Sequence, residues 1–137
     1  MCGINGYYLT DNAYYKNTNL KKANIKLKHR GPDNQGTYYS RDKLIGLGHT
    51  RLSIQDLSFS ANQPMVSSCK RFVITFNGEI YNFNLIKKFL DSKSGKFVYK
   101  SQSDTEVLLN LFSYCKEKKK RLCNFLSKLQ GIFSLAI

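Results

Sequence analysis

Long apolar runs are missing from this 137-residue chain. None approaches the roughly 18 to 20 residues that cross a bilayer. The N-terminus has no secretory core either, because Asn5 and Gly6 interrupt Gly3–Leu9 and Thr-Asp-Asn follows at once. A soluble, cytoplasmic protein without a membrane partner is expected. Metal-ligand patterns are also absent. Cys2, Cys69, Cys115 and Cys123 form no CxxC pair, and His29 and His49 are too few for a cluster. In a reducing compartment the four cysteines are expected to be free thiols. There is no GxxxxGK[ST] phosphate loop, no Ser-His-Asp arrangement to be argued from spacing, no internal repeat and no low-complexity linker. Acidic residues are scarce, nine against 22 basic, for a net charge of +13. That balance permits nucleic-acid binding, yet no recognition motif accompanies it, and 17 of the 22 cations are Lys dispersed from Lys16 to Lys128. The dense run Lys116–Arg121 reads as a solvated helix end or loop, so no specific nucleic-acid partner is expected.

What is present is enough for one globular domain over residues 1–137, with 42% hydrophobic residues, nine Tyr and nine Phe. The patterning predicts strands at Gly3–Leu9, Gly36–Ser40, Leu44–Leu52 and Arg71–Phe76, the last broken sharply at Asn77-Gly78-Glu79. Gly46 and Gly48 leave one side of the third strand bare, where something packs or binds closely. Helices are predicted over 17–27, with Leu20, Ala23 or Asn24, and Leu27 on one face, and over 81–90, with Asn82 as a cap. The clearest helix is 104–115, where Ser103-Asp104-Thr105-Glu106 fits a capping box and Val107, Leu108, Leu111 and the core residue Cys115 form an apolar stripe. A short helix over 122–129 leads into an apolar run, 132–137, that reads as a buried strand. Alternating sheet-like and helical segments suggest an α+β domain with largely antiparallel strands.

Several residues could carry chemistry. If the initiator Met1 is removed, Cys2 holds a thiol and a free α-amine together. Such groups have ordinary pKa values of roughly 8.5 and 7.7 to 8.0, so the amine can act as the base for its own nucleophile. Arg51, at the end of the glycine-bearing strand, suits a bidentate contact with a carboxylate or an ion pair with Asp56. Asn77 and Gly78 can supply an oxyanion hole or an ordinary turn. Glu79 and Asp104 can hold an ammonium group, or Asp104 can simply complement a helix dipole.

Seven stretches, in order along the chain, resemble one known family: MCGINGYYL, HRGPDNQG, GLGHTRLSIQDLS, NQPM, FNGEIYN, SDTEVLL and LQGIFSLAI. The chain resembles the N-terminal glutaminase domain of glutamine-dependent asparagine synthetases, a class II glutamine amidotransferase of the N-terminal nucleophile (Ntn) hydrolase fold. HRGPD with HTRLSIQDLS is similar to that branch rather than to the glucosamine-phosphate synthase or phosphoribosyl-pyrophosphate amidotransferase branches. The resemblance implies a four-layer αββα sandwich of two antiparallel sheets, with the C-terminal strands missing here. It implies that Cys2 attacks the side-chain amide of glutamine, that Asn77 and the Gly78 N–H stabilise the oxyanion, that Arg51 holds the α-carboxylate, and that Glu79 and Asp104 hold the α-ammonium. It implies no cofactor or metal for this chain. ATP and Mg would belong to a synthetase domain or separate synthetase subunit that uses the ammonia on aspartate. A homodimer is a further possible partner arrangement. Such domains continue past LQGIFSLAI, so a fragment is expected. The alternatives are the glutaminase part of a related sugar amidotransferase and a catalytically dead binding remnant.

Overall fold

Strand β1 (Gly3–Tyr8), strand β2 (Asn34–Tyr39) and strand β3 (Ile45–Arg51) form one antiparallel sheet with β3 in the centre. The structure, a computed structural model, describes residues 1–94, 97–117 and 123–137. The pairing runs from Gly3 opposite Thr50 and from Asn34 opposite Arg51. Side chains alternate across a strand, and β3 uses that alternation to serve two neighbours. Gly46, Gly48 and Thr50 face helix α1 (Leu20–Leu27), which is capped by the Asn19 side chain at 2.9 Å from Lys22 N. A Cβ on Gly46 would come within 3.0 Å of Leu20, and one on Gly48 within 2.7 Å of Asn24. The bare side therefore receives α1, whose buried face is Leu20 and Asn24. A 3-10 turn at Asn12–Asn17 precedes α1, so the helix starts later than its residue pattern predicts.

The other face of β3 meets a second sheet, made of β4 (Met65–Val66), β5 (Val73–Ile80) and β6 (Gly131–Ala136) with β5 in the centre. His49 Nε2 donates to Phe76 O at 3.1 Å, and Thr75 Oγ1 donates to Gly48 O at 3.3 Å, so the two sheets are hydrogen-bonded across their interface. Behind β5 lie helix α2 (Phe83–Ser94) and helix α3 (Asp104–Glu117), followed by one turn, α4 (Cys123–Leu126). Ile74, Phe76 and Ile80 of β5 share one core with Leu108, Leu111 and Cys115 of α3, all 2% exposed or less. The order of layers is helix, sheet, sheet, helices, an α+β sandwich of two three-stranded antiparallel sheets.

Three local expectations need correction. Asn77-Gly78-Glu79 does not end the strand, since β5 runs to Ile80 and pairs with β6 through Asn77 opposite Ser134 and Gly78 opposite Phe133. β6 is a half-exposed strand rather than a buried one, with Ile132 74% exposed. The Asn82 carboxamide does not cap α2. It donates to Lys128 O at 2.9 Å and accepts from Gln130 N at 3.0 Å, tying the start of α2 to the approach of β6. The basic run begins with Lys116 in the last turn of α3, while Lys118–Leu122 lie outside the described residues. Among the described residues no helix is long and apolar enough to cross a membrane.

The inter-sheet histidine gives the fold a predictable acid response. His49 is fully buried, with no partner for Nδ1 among the described residues, and its pKa is pushed down to about 4, first by burial and then by the Arg51 charge, against the opposing Phe76 bond. Because the folded value lies below the ordinary 6.5, the unfolded chain binds the extra proton between the two. The His49 contribution is full above about pH 6.5 and is lost as pH falls towards 4. At about 1.4 kcal/mol per unit this amounts to ~3 kcal/mol. His49→Gln keeps a donor and removes the titration. Urea unfolding of both proteins from pH 7 to 4 should show their stability difference shifting by about that amount in favour of the variant.

Candidate active site

β1, β3, β5 and the start of α3 converge on a cavity of about 260 Å³ lined by Cys2, Arg51, Asn77, Gly78, Glu79 and Asp104. All six residues singled out from the sequence thus meet in one place. Met1, Gln55, Gln63, Tyr81 and Ile132 are among the others that border it.

Cys2 sits just ahead of β1, half-buried. The Leu52 N–H, beyond the end of β3, points at its Sγ over 3.4 Å, and the Arg30 Nε donates to the Cys2 carbonyl at 3.0 Å. The sulfur is therefore oriented by backbone from the neighbouring strand, while Arg30 fixes the peptide behind it.

Arg51 is 7% exposed, so it is no surface arginine. Nη1 donates to Ser58 O at 2.8 Å and to Asn62 Oδ1 at 2.6 Å, and Nη2 donates to Asp56 O. The expected alternative, an ion pair with the Asp56 carboxylate, does not form. That carboxylate instead accepts from Ser58 N and Gln102 N, both at 2.7 Å. Hydrogen bonds from Ser58 and then Gln102 hold it below the ordinary carboxylate range, with the Arg51 charge the smallest contribution. Neutral oxygens thus orient the guanidinium, and among the described residues no carboxylate is hydrogen-bonded to it beside the cavity.

Asn77 and Gly78 are presented by the strand itself. The Asn77 Oδ1 is buried with no partner among the described residues. Gly78 has φ +145, a conformation that side chains disfavour, and an added Cβ would overlap Ile132 O and crowd Phe133 on β6. The backbone here is shaped for a residue with no side chain.

The two acids differ. Glu79 is exposed and accepts from Gln55 Nε2 at 3.0 Å. Asp104, 5% exposed at the first turn of α3, accepts from Ile80 N at 2.9 Å. Burial raises its pKa above the ordinary carboxylate value, and Glu79 adds to the rise by like-charge repulsion. A cation between them would be favourable for both. The helix-dipole alternative for Asp104 has the right position, but the side chain also faces the cavity. Ser103 supplies the cap, with Oγ accepting from Glu106 N at 3.3 Å. Glu106 reaches past Ser103 to the Ser101 N–H at 2.7 Å, so only half of the expected capping box forms.

Sequence reasoning missed the supporting residues Arg30, Leu52, Gln55, Asn62 and Gln63. Their contribution is a carboxamide, a backbone group or a guanidinium aimed at a residue distant in the chain, which local spacing does not reveal. Among the described residues no group of three His, Cys, Asp or Glu could hold a metal ion.

The family described as "Glutamine amidotransferase domain" matches residues 1–137. The chain is 36% identical over 141 residues to asparagine synthetase [glutamine-hydrolyzing] 1 of Bacillus subtilis (strain 168), covering all of this chain and 20% of that protein. It is 37% identical over 131 residues to putative asparagine synthetase [glutamine-hydrolyzing] 2 of Methanocaldococcus jannaschii, covering 82% of this chain and 24% of the relative. It is also similar to amidase chry2 of Gibberella zeae, 31% identical over 147 residues, covering all of this chain and 21% of the relative. The chain spans about a fifth of the length of the curated relatives it matches. A family match over every residue, with identity above 30% along the full chain, makes this chain a member of the glutamine amidotransferase domain family.

Proposed function

We propose that this chain hydrolyses glutamine to glutamate and ammonia through Cys2, as the glutaminase part of an asparagine synthetase. The observation that carries this reading is the convergence of a nucleophile, a guanidinium held by neutral oxygens, the Asn77-Gly78 segment of β5 and two carboxylates on one cavity. The charges match an α-amino acid: Arg51 for the carboxylate, Asp104 and Glu79 for the ammonium. That pairing leaves the side-chain amide to reach Cys2 Sγ. Met1 borders the cavity and is 69% exposed, so its removal is sterically open and frees the Cys2 α-amine.

Attack of sulfur on the amide carbon forms a C–S bond and an oxyanion held by Asn77 and the Gly78 N–H. The amine of Cys2 carries the thiol proton to the departing nitrogen, the C–N bond breaks, and ammonia leaves a γ-glutamyl thioester. Water then adds, the C–S bond breaks and the thiol is regenerated. The relatives' names favour aspartate as the ammonia acceptor, in a domain or subunit beyond the fifth of their length matched here. Acid-quenched reactions analysed by mass spectrometry should show a γ-glutamyl adduct on an N-terminal Cys2, with ammonia and glutamate released in equal amounts. A well-folded chain lacking Met1 that releases neither would overturn the reading.

Asp104→Asn gives a smaller, two-sided test. The folded pKa of Asp104 is raised, so its contribution to stability is full below the unfolded value and is lost as pH rises through the folded one. At pH 7 the ionised group is a cost, and the variant should melt higher than wild type. The same change removes a charged partner of the substrate ammonium, and KM for glutamine should rise about tenfold or more, the worth of one charge-assisted hydrogen bond. A lower melting temperature with unchanged KM would contradict both halves.

A further inference from the structure

Three hydrogen bonds leave one dipeptide between β3 and β4 and end beside three different groups of the cavity. Asn62 Oδ1 accepts from Arg51 Nη1 at 2.6 Å. Gln63 Oε1 accepts from the Phe76 backbone N–H at 2.6 Å, immediately ahead of Asn77. Gln63 Nε2 donates to Thr105 Oγ1 at 3.2 Å, and that hydroxyl donates to Asp104 Oδ1 at 3.4 Å. Gln63 is 8% exposed. It borders the cavity, but both ends of its carboxamide are engaged away from it.

The backbone of the dipeptide is held as well. A Cβ on Gly36 of β2 would overlap the Gln63 carbonyl, so the bare glycine lets this loop lie against the first sheet. Met65 then pairs with Ile74. Extending that register places Gln63 opposite Phe76, yet Pro64 has no N–H and the strand begins only at Met65. The Gln63 side chain takes the Phe76 N–H that the ladder leaves. The carbonyl of Phe76 is held by His49, which leaves the peptide leading to Asn77 little freedom.

We propose that Asn62-Gln63 is a positioning joint that sets Arg51, Asn77 and Asp104 at the one mutual spacing that fits glutamine. This rests on the glutaminase reading above. Neither residue holds the substrate itself; each acts through groups that do, Asn62 through Arg51 and Gln63 through the peptide leading to Asn77 and through Asp104. The three contacts tie the carboxylate, oxyanion and ammonium ends of the substrate site to adjacent residues, so one loop sets all three distances. A misplacement on the order of 1 Å at such a site costs up to about 10²-fold in rate.

The test compares wild type, Asn62→Ala, Asn62→Asp and Gln63→Met on three amides. These are glutamine, 4-aminobutanamide, which lacks the α-carboxylate, and 4-carbamoylbutanoate, which lacks the α-ammonium. Slow substrates are read as competitive inhibitors of glutamine hydrolysis. Asn62→Ala should raise KM for glutamine about tenfold with kcat nearly unchanged, the scale of one charge-assisted bond. The penalty should vanish on 4-aminobutanamide, where Arg51 has no carboxylate to hold, and Asn62→Asp, whose carboxylate would pair with Arg51 in place of the substrate's, should raise KM for glutamine at least as much as Asn62→Ala. Gln63→Met should lower kcat on glutamine about tenfold through Asn77 and also raise KM. The KM part should disappear on 4-carbamoylbutanoate while the kcat part persists. Equal losses on all three amides would mean a merely structural role and would overturn the proposal, as would variants within twofold of wild type. If Gln63→Met does not fold, the substrate contrast of Asn62→Ala decides alone. Wild type that releases no ammonia sinks the glutaminase reading, and the joint with it; an active wild type with flat contrasts sinks only the joint.

Discussion

Cys2→Ala should reduce glutamine-dependent ammonia release by on the order of 10⁶-fold, to assay background, the scale seen when the nucleophile of a hydrolytic unit is removed. The fold should tolerate the change. Cys2 lies outside the strand, half-buried, and among the described residues its sulfur makes just two long hydrogen bonds, both with Leu52, at 3.4 and 3.7 Å. Melting within a few degrees of wild type is the expected control. A chain that keeps Met1 should behave like the variant, because the Cys2 nitrogen is then an amide and cannot carry protons. Thiol alkylation is a poorer test in the native chain. Cys69 is exposed, and a hydrogen bond from Ser67 chiefly, with Arg71 and Ser113 contributing, brings its pKa down to about 7. It will compete for reagent near neutrality. Alkylation in a Cys69→Ala, Cys123→Ala background isolates Cys2, while Cys115, 1% exposed in the core, stays protected. Substantial glutamine hydrolysis by Cys2→Ala would remove the nucleophile assignment altogether.

The sequence shows this fold wherever local pattern and tertiary context agree. α3 forms where its apolar stripe predicts a helix, but Asp104–Cys115 is buried on every side, Asn110 and Ser113 included, so the stripe marks only part of the surface packed against β5 and α2. The bare side of β3 was likewise readable as a place of close packing, although only the structure assigns it to α1 rather than to a ligand. Disagreement appears where a distant partner decides. Asn-Gly is a strong turn signal, yet β6, more than fifty residues on, pairs across it and keeps it in the strand. β6 itself reads as buried because its residues are apolar, but in this chain it is half-exposed, with β5 as its strand neighbour among the described residues, and composition does not encode such neighbours.

The candidate site divides in the same way. Residue types with charge or nucleophilic character could be picked from the chain, and the resemblance ordered them into roles. Their supports could not. Whether Arg51 is neutralised by Asp56 or held by carbonyls depends on the path of residues 56–62, and the structure gives the carbonyls. Asn62 and Gln63 were visible only as part of a matching stretch; their reach to Arg51, Phe76 and Thr105 is a consequence of folding.

The oxyanion site yields the second large effect, and its two residues should fail differently. Asn77→Ala should lower kcat about 10² to 10³-fold, ~2.7 to 4 kcal/mol, while leaving KM near wild type, because the negative oxygen exists only in the transition state. Stability should hold or rise slightly, since the variant also removes a buried side-chain oxygen with no partner among the described residues. Asn77→Asp keeps the shape but replaces the donor with an acceptor facing a developing negative charge, and should be no more active than Asn77→Ala. Gly78→Ala should lose activity and stability together. Its φ of +145 disfavours any side chain, and the added methyl meets Ile132 O and Phe133, which pushes β6 from β5. Steady-state kinetics and thermal melts on the three variants separate the cases: reduced kcat at constant melting temperature for Asn77, a fall in both for Gly78. An Asn77→Ala protein whose kcat stays within about tenfold of wild type would mean that the oxyanion is held elsewhere, and the strand at 77–78 would then owe its glycine to packing against β6 alone.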